Sequence, residues 1–262
     1  MKKIDLLVLI LSLATLFSCG KKASESPVSD AVQNPPVSDY AKALQGAWTS
    51  YDVTKSGERL TKTTIVMDGY MAEAIYNVDE KKFMKTFGGS WSVDKNVFTL
   101  HTEFSSDDPS QVGTTREAVF YMTKDTIAFE NDNSLWIRVD NGQQGDLAGA
   151  WLITGREQEG KMNSWEPGPR KTMKILSETR FQWIAYNTET QEFFGTGGGT
   201  YTAKDGSYTE NLEFFSRDNS RVGASLKFDF ELQDGKWHHS GSSSKGDPIH
   251  EIWTQRKDLE KK

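Results

Sequence analysis

The amino-acid sequence predicts an all-β protein: two tandem eight-stranded antiparallel up-and-down barrels that follow a signal peptide and a flexible tether. One observation is an internal repeat, because Gly46-Ala47-Trp48 recurs as Gly149-Ala150-Trp151, each with a leucine two residues upstream. A second is the alternation of apolar and polar residues over 222–232, which is typical of a strand with one buried face. No amphipathic helical pattern of useful length interrupts either copy.

The N-terminus has the three parts of a secretory signal peptide. Two lysines follow Met1, an apolar run extends from Leu6 to Phe17, and Ser18 precedes Cys19, the only cysteine of the chain. The run is shorter than the ~20 apolar residues that span a membrane. We therefore predict a signal peptide at 1–18. Because a lone cysteine has no disulfide partner, Cys19 is either modified or a spare thiol.

Leu16-Phe17-Ser18-Cys19 resembles the lipobox of bacterial lipoproteins. The resemblance implies that Cys19 is lipidated and anchors the protein, since several acyl chains hold a soluble domain where one does not. Gly20 stands where an inner-membrane retention signal has Asp, which implies the outer membrane, facing either the periplasm or the cell surface. The polar, proline-containing segment 19–43 predicts a disordered tether, with one or two helical turns at 39–44.

The repeat covers most of the chain after the tether. At an offset of 110 residues, Gly88-Gly89-Ser90-Trp91 matches Gly198-Gly199-Thr200-Tyr201, and Tyr76-Asn77 matches Tyr186-Asn187. The domains are predicted at 44–140 (first barrel), 141–146 (linker), 147–257 (second barrel) and 258–262 (polar tail). A single barrel of 16 strands or one fused sandwich is the alternative.

The strands of the first copy are delimited by alternation and by hairpin residues. They are predicted at 46–53, 59–67, 71–78, 83–93, 96–104, 114–122, 125–130 and 134–139. Eight such strands have exposed edges unless the sheet closes on itself, so a barrel is the favoured arrangement.

A Gly-x-Trp on the first strand and an Arg on the last resemble the lipocalin (calycin) superfamily. The resemblance implies that the Trp packs across the closed end of the barrel beneath the Arg, in a cation–π contact. The candidates are Gly46, Trp48 and Arg138 in the first copy and Gly149, Trp151 and Arg256 in the second. The spacing from the last Trp to the Arg differs between the copies, so at least one copy is expected to have a bulge or to lack the contact. The second copy also resembles lipocalin-like domains of unknown function in bacterial lipoproteins.

The resemblance implies a ligand-binding protein, and one carboxylate distinguishes the second copy. The face of strand 207–214 that carries it consists of Tyr208, Glu210, Leu212 and Phe214, and the equivalent face of the first copy consists of Phe98, Leu100, Thr102 and Phe104. A carboxylate inside a barrel needs a partner or contact with water at the open end. The alternative is that Glu210 lies at the rim or that the opposite face of the strand is the inner one. The candidate ligand-binding residues are Trp183, Tyr208, Glu210, Phe228 and, from a predicted lid at 154–170, Trp165. For both tryptophans, plain packing remains an alternative.

Composition and motifs argue against other functions. A net charge of −6 without a basic cluster argues against a nucleic-acid partner. No motif predicts a metal site, a cofactor or a catalytic centre, and Glu103 and Glu213 are interpreted as solvent-facing. We predict a non-enzymatic, lipid-anchored cell-envelope protein that binds a small apolar or amphipathic ligand. The alternative is a structural lipoprotein with solid barrels that docks another envelope protein.

Overall fold

The computed structural model describes residues 39–143, 145–243 and 246–259, which belong to one compact unit. The predicted signal peptide, Cys19 and the tether up to residue 38 lie outside the described residues. Within the described ranges, no helix has both the length and the apolar character needed to cross a membrane.

Eight antiparallel strands form the first barrel, in which each strand pairs with the next and the last pairs with the first. The strands are β1 (Gly46–Val53), β2 (Arg59–Met67), β3 (Tyr70–Asn77), β4 (Lys82–Asp94), β5 (Val97–Ser105), β6 (Thr115–Met122), β7 (Thr126–Phe129) and β8 (Leu135–Asp140). The strands predicted for the first copy are all present, with ends shifted by at most about one residue, because alternation and turn residues act locally.

The second copy repeats this barrel. Its strands are β9 (Gly149–Gln158), β10 (Lys161–Ser164), β11 (Arg170–Leu176), β12 (Arg180–Asn187), β13 (Phe193–Lys204), β14 (Ser207–Phe215), β15 (Ser225–Gln233), β16 (Lys236–Ser242) and β17 (Pro248–Gln255), followed by helix α2 (Arg256–Leu259). Pairing of β17 with β9 closes the ring, and β10 extends β9 as a hairpin outside it. Two closed barrels are therefore confirmed, and the single barrel of 16 strands is wrong.

A short helix and a tryptophan close one end of the first barrel. Helix α1 (Tyr40–Leu44), at the place of the helical turns expected at 39–44, buries both of its terminal residues in the core of the first barrel. The Trp48 indole donates a hydrogen bond to the Leu44 carbonyl at 2.9 Å, and the Trp151 indole donates in the same way to Leu147. The leucine upstream of each Gly-x-Trp motif thus accepts the indole hydrogen bond.

The two candidate arginines have different roles. The Arg138 guanidinium lies 3.9 Å from the Trp48 ring centroid and donates to three backbone carbonyls, so the expected contact is confirmed in the first barrel. Arg256 lies instead 3.8 Å from the ring of Tyr70, in the first barrel. Its predicted role above Trp151 is wrong, because the chain leaves the second barrel after β17 and α2 carries the side chain to the neighbouring barrel.

One extra residue in β5 and one in β14 change which side chains face inward. Glu103 in β5 and Glu213 in β14 have no partner residue in the neighbouring strand, where each lies opposite two consecutive glycines. Beyond such a bulge the alternation of faces is inverted. Phe104 and Phe214, predicted on the face that carries Glu210 or its equivalent, therefore pack between the barrels. Glu103 and Glu213 also point to the other barrel, which corrects their interpretation as solvent-facing.

Equivalent residues of the two copies contact each other across the barrel interface. The hydroxyl of Tyr76 donates to Glu213 at 2.7 Å, and the hydroxyl of Tyr186 donates to Glu103 at 2.7 Å. Tyr186 and Glu213 are the counterparts of Tyr76 and Glu103 at the repeat offset of 110 residues, so the two contacts are equivalent. The tandem copies therefore pack reciprocally, as two subunits do in a symmetric dimer.

Arg256 strengthens one of these two contacts. Its guanidinium donates to both carboxylate oxygens of Glu103, at 2.6 and 2.9 Å, and both side chains are largely buried. Burial opposes ionisation of Glu103, but the hydrogen bonds and charge of Arg256 outweigh it and lower the pKa of the carboxyl. On the other side of the interface, Glu213 pairs with Arg180 at a more exposed position.

Candidate functional site

The second barrel holds a cavity of about 570 Å³ that opens to solvent. This volume lies within the range of small-molecule pockets, roughly 300–1,000 Å³. The rings of Trp151, Tyr208, Trp237 and Trp253 pack against one another and fill the closed end, and Trp253 also lines the bottom of the cavity. The cavity therefore occupies only the part of the barrel away from the Gly-x-Trp motif.

Four buried ionisable side chains line the cavity just above these rings: Lys174 of β11, Glu210 of β14, His239 of β16 and Glu251 of β17. Each lies two residues from a core side chain of the closed end. Because side chains of a strand alternate between faces, residues two apart face the same way. The strand pattern that builds the core thus also turns these four groups inward.

Lys174 and Glu210 form an ion pair inside the barrel. The Lys174 ammonium is 2.8 Å from the Glu210 carboxylate, and the two side chains are 6% and 5% exposed. Four rings surround the ammonium at 4.9–5.8 Å, those of Tyr208, Phe228, Trp237 and Trp253. The ring faces and the carboxylate stabilise the charge, but removing both ions from water costs several kcal/mol each.

Glu251 is held by donors on both sides. The Arg156 guanidinium and the Trp253 indole donate to its carboxylate, and His239 Nδ1 lies 3.4 Å away. Burial opposes ionisation of Glu251, but His239, Lys174 and Arg156 outweigh it and lower its pKa to about 2. Burial and the charge of Lys174 lower the pKa of His239, so the imidazole is neutral near pH 7. Its Nε2 has no hydrogen-bond partner among the described residues.

Apolar side chains line the cavity above the ionisable level. They are Trp183, Leu212, Phe215, Leu226, Phe228 and Ile249. The rings of Trp183 and Phe215 meet edge to face at 5.6 Å. Gly197 makes room for the indole, since a Cβ at that position would lie 2.7 Å from Trp183 Nε1. The cavity thus has a broad apolar wall beside its ionisable floor.

Two arginines lie on one side of the cavity rim. Arg217 donates through Nε and Nη2 to the Phe194 carbonyl at 2.9 and 2.7 Å and lies 6.0 Å from the Trp183 ring. Arg170 lies 4.4 Å from the ring of Phe194. Within the described part of the chain, neither arginine pairs with a carboxylate. Elsewhere on the rim, Glu157 pairs with His250 at 3.1 Å.

The predicted lid is a hairpin beside the cavity. Its β10 strand pairs with the outer part of β9. Trp165, which is 43% exposed, lines an adjoining groove of about 290 Å³, and Arg156 and Arg170 line both the groove and the cavity. The side chain of Trp165 therefore lies next to the cavity and does not line it.

The other sequence-predicted ligand-binding residues converge in the second barrel. Trp183, Glu210 and Phe228 line the cavity, and the ring of Tyr208 lies beneath it. Glu210 is 4% exposed and shares its face with the core residues Tyr208 and Leu212, so the alternative of a rim position or of an outward face is wrong.

Sequence reasoning missed Lys174, His239, Glu251 and Arg156. A lysine between Met173 and Ile175 fits the alternation of a strand with one wet face, which is the ordinary position of a lysine. The available signal was that β11 has apolar residues on both faces, since Leu176 shares the face of Lys174. Among the described residues, no group of three or more His, Cys, Asp or Glu side chains is placed to hold a metal ion.

Comparison with known proteins finds a family model and a solved structure that are similar to parts of the chain. Residues 146–262, which include the second barrel, match a family described as a domain of unknown function (DUF4488). A solved lipocalin-like protein from Bacteroides uniformis ATCC 8492 is 15% identical, with a TM-score of 0.31, and the match covers 42% of this chain and 99% of that chain. No curated protein matches the sequence. The two tandem eight-stranded antiparallel barrels predicted from the sequence are confirmed by strand pairing.

Proposed function

We propose that the second barrel binds a small amphipathic molecule in its cavity. Binding sites for small molecules are concave and largely apolar, with a few polar groups that fix orientation. The cavity has this composition, because an apolar wall that includes Trp183 and Phe228 stands beside the ion pair of Lys174 and Glu210.

The observation that carries the proposal is that this fold does not require the buried ion pair. At the positions of Lys174 and Glu210, the first barrel has Thr64 and Leu100. Leu100 lies in the core of the first barrel, which closes in the same way. Since a buried ion pair is weak evidence for stability, its presence in one copy only is better explained by a polar role in the second barrel.

Native mass spectrometry of the gently purified chain tests the proposal. We expect one small molecule per chain, either copurified or taken from a panel of amphipathic compounds. The variant Lys174→Thr/Glu210→Leu gives the second barrel the residues of the first. It is expected to weaken binding at least about tenfold, which corresponds to about 1.4 kcal/mol, because the ligand loses its polar anchors.

A matched control is Glu73→Gln in the first barrel, where Glu73 accepts a hydrogen bond from Thr64 at 3.2 Å. Burial raises the pKa of Glu73 to about 7, so the substitution alters a comparable carboxyl away from the cavity. This variant should keep the ligand. The proposal would be contradicted if the double variant bound the ligand as tightly as the wild type. It would also be contradicted if the double variant and Glu73→Gln lost ligand affinity equally.

The exposed Trp165 favours a second candidate function, the docking of another envelope protein. It lies on the hairpin outside the barrel ring, beside a groove that contains Arg156 and Arg170. An aromatic side chain among arginines is typical of interface hot spots. If the panel gives no bound mass, cross-linking from a photoreactive residue at position 165 in intact cells would test this alternative.

We also propose that the chain is a lipoprotein anchored in the outer membrane through Cys19. The support is the lipobox-like Leu16-Phe17-Ser18-Cys19 and the Gly20 that follows it. We expect Cys19→Ser to abolish incorporation of labelled palmitate and to move the protein from the membrane to the soluble fraction. As a control, Lys174→Thr/Glu210→Leu should remain membrane-bound. Palmitate labelling that persists in Cys19→Ser would refute the anchor.

A further inference from the structure

The rim of the second barrel differs in charge from the equivalent rim of the first. At the offset of 110 residues, Arg170 and Arg217 correspond to Leu60 and Asp107. In the first barrel, Asp107 pairs with Lys85 at 3.0 Å, so the charges at this position cancel. In the second barrel the same part of the rim carries two arginines without a carboxylate partner among the described residues.

The backbone next to Arg217 is adapted to its position. Gly195, the counterpart of Lys85, has a φ of +153°, and a Cβ there would lie 2.6 Å from Arg217 Nε. A side chain at residue 195 would therefore displace the guanidinium. Phe194 holds both arginines on one side of the rim, because its carbonyl accepts from Arg217 and its ring lies against Arg170.

These guanidinium groups retain donors for an anion. An arginine has five N–H donors in a planar fork that matches carboxylates and phosphates. Arg217 directs Nε and Nη2 at one carbonyl, and Arg170 makes a ring contact. Both side chains line the cavity together with Trp183, whose indole extends the apolar wall below them.

We infer that the ligand of the second barrel is a small organic anion with a flat apolar body. Its anionic group lies at Arg170 and Arg217, and its body lies against Trp183. This inference rests on the proposed function and adds the chemical class of the ligand. A polar group at the far end of the molecule meets the ion pair of Lys174 and Glu210 on the cavity floor.

Two fluorescent probes with the same body test the inference. 8-Anilinonaphthalene-1-sulfonate carries an anionic group, and N-phenyl-1-naphthylamine is its uncharged counterpart. We expect the full-length chain to bind the sulfonate more tightly than the neutral probe, with an affinity that falls as salt screens the arginines. Arg170→Gln/Arg217→Gln should weaken sulfonate binding roughly tenfold and leave the affinity for the neutral probe unchanged.

Two further variants define where and why the probes bind. Lys82→Gln/Lys85→Gln removes the same net charge from the first barrel and should leave both affinities unchanged. Trp183→Leu should weaken both probes, because both bodies lie against the indole. An unchanged sulfonate affinity in Trp183→Leu would place the probe outside the cavity and overturn the inference.

The outcomes separate this inference from the proposed function. Anion recognition is overturned if the wild type binds both probes with equal affinity, or if the arginine variant loses affinity for both probes equally. In either case, binding in the cavity stands. If neither probe binds the wild type, the flat organic anion is wrong. The ligand panel measured by native mass spectrometry then decides the proposed function independently.

Discussion

Replacing Arg256 with methionine is expected to lower the free energy of unfolding by about 3–5 kcal/mol, the usual effect of removing one partner of a buried ion pair. Arg256 is 4% exposed and makes two hydrogen bonds to Glu103 across the interface between the barrels. Methionine fills much of the volume but leaves a buried carboxylate with the Tyr186 hydroxyl as its remaining donor. Urea denaturation followed by tryptophan fluorescence measures the loss.

Arg180→Met is the matched control for this prediction. Arg180 pairs with Glu213, the counterpart of Glu103, but their side chains are 20% and 32% exposed. Solvent screens such a pair, and we expect its loss to cost less than about 1 kcal/mol. Equal losses in the two variants would show that burial does not set the strength of these contacts.

The pH dependence of stability gives a second test of the Arg256 pair. The pKa of an unfolded-state glutamate is about 4.3, and Arg256 holds the folded-state pKa of Glu103 lower, although burial alone would raise it. Such a carboxylate contributes stability above its unfolded pKa and loses it as pH falls through its folded pKa. As the pH falls from 5 to 3, the free energy of unfolding of the wild type should therefore decrease more than that of Arg256→Met. The difference in unfolding free energy between the two proteins should narrow.

The strands and the turns between them follow from local signals in the sequence, whereas their closure into barrels was inferred from the exposed edges that an open sheet would have. The apolar residues of 222–232 and the turns between strands act over a few residues, so they can be read without knowledge of the partner strand. The contact between Trp48 and Arg138 was available from the resemblance to lipocalins. Glu210 was identified because its counterpart, Leu100, is apolar.

The remaining features depend on partners distant in the chain. The Lys174 ammonium is accommodated inside the barrel because Glu210, 36 residues later, accepts its hydrogen bond. The bulge at Glu213 leaves one local trace, the glycine pair opposite it, where a Cβ on Gly199 would lie 2.1 Å from the Asn211 carbonyl. That trace does not say which way the following side chains turn. The role of Arg256 depends on the interface between the barrels. The alternation of apolar and polar residues along the sequence does not encode that interface.

Glu210→Leu is expected to destabilise the protein by about 3–5 kcal/mol, because it leaves the Lys174 ammonium buried without its carboxylate. The side chains of Lys174 and Glu210 are only 6% and 5% exposed, so water in the cavity can replace the lost carboxylate only in part. The four rings around the ammonium offset part of the loss. The measurement is urea denaturation of the ligand-free chain at pH 7.

The double variant Lys174→Thr/Glu210→Leu should recover most of the stability lost in Glu210→Leu, since the first barrel folds with Thr64 and Leu100 at these positions. A double-mutant cycle gives the coupling energy of the pair directly. If the double variant is stable yet loses the ligand, the pair serves binding, because the fold manages without it. If it remains as unstable as the single variant, the pair is needed to build the second barrel, and the argument from the first barrel to a ligand fails.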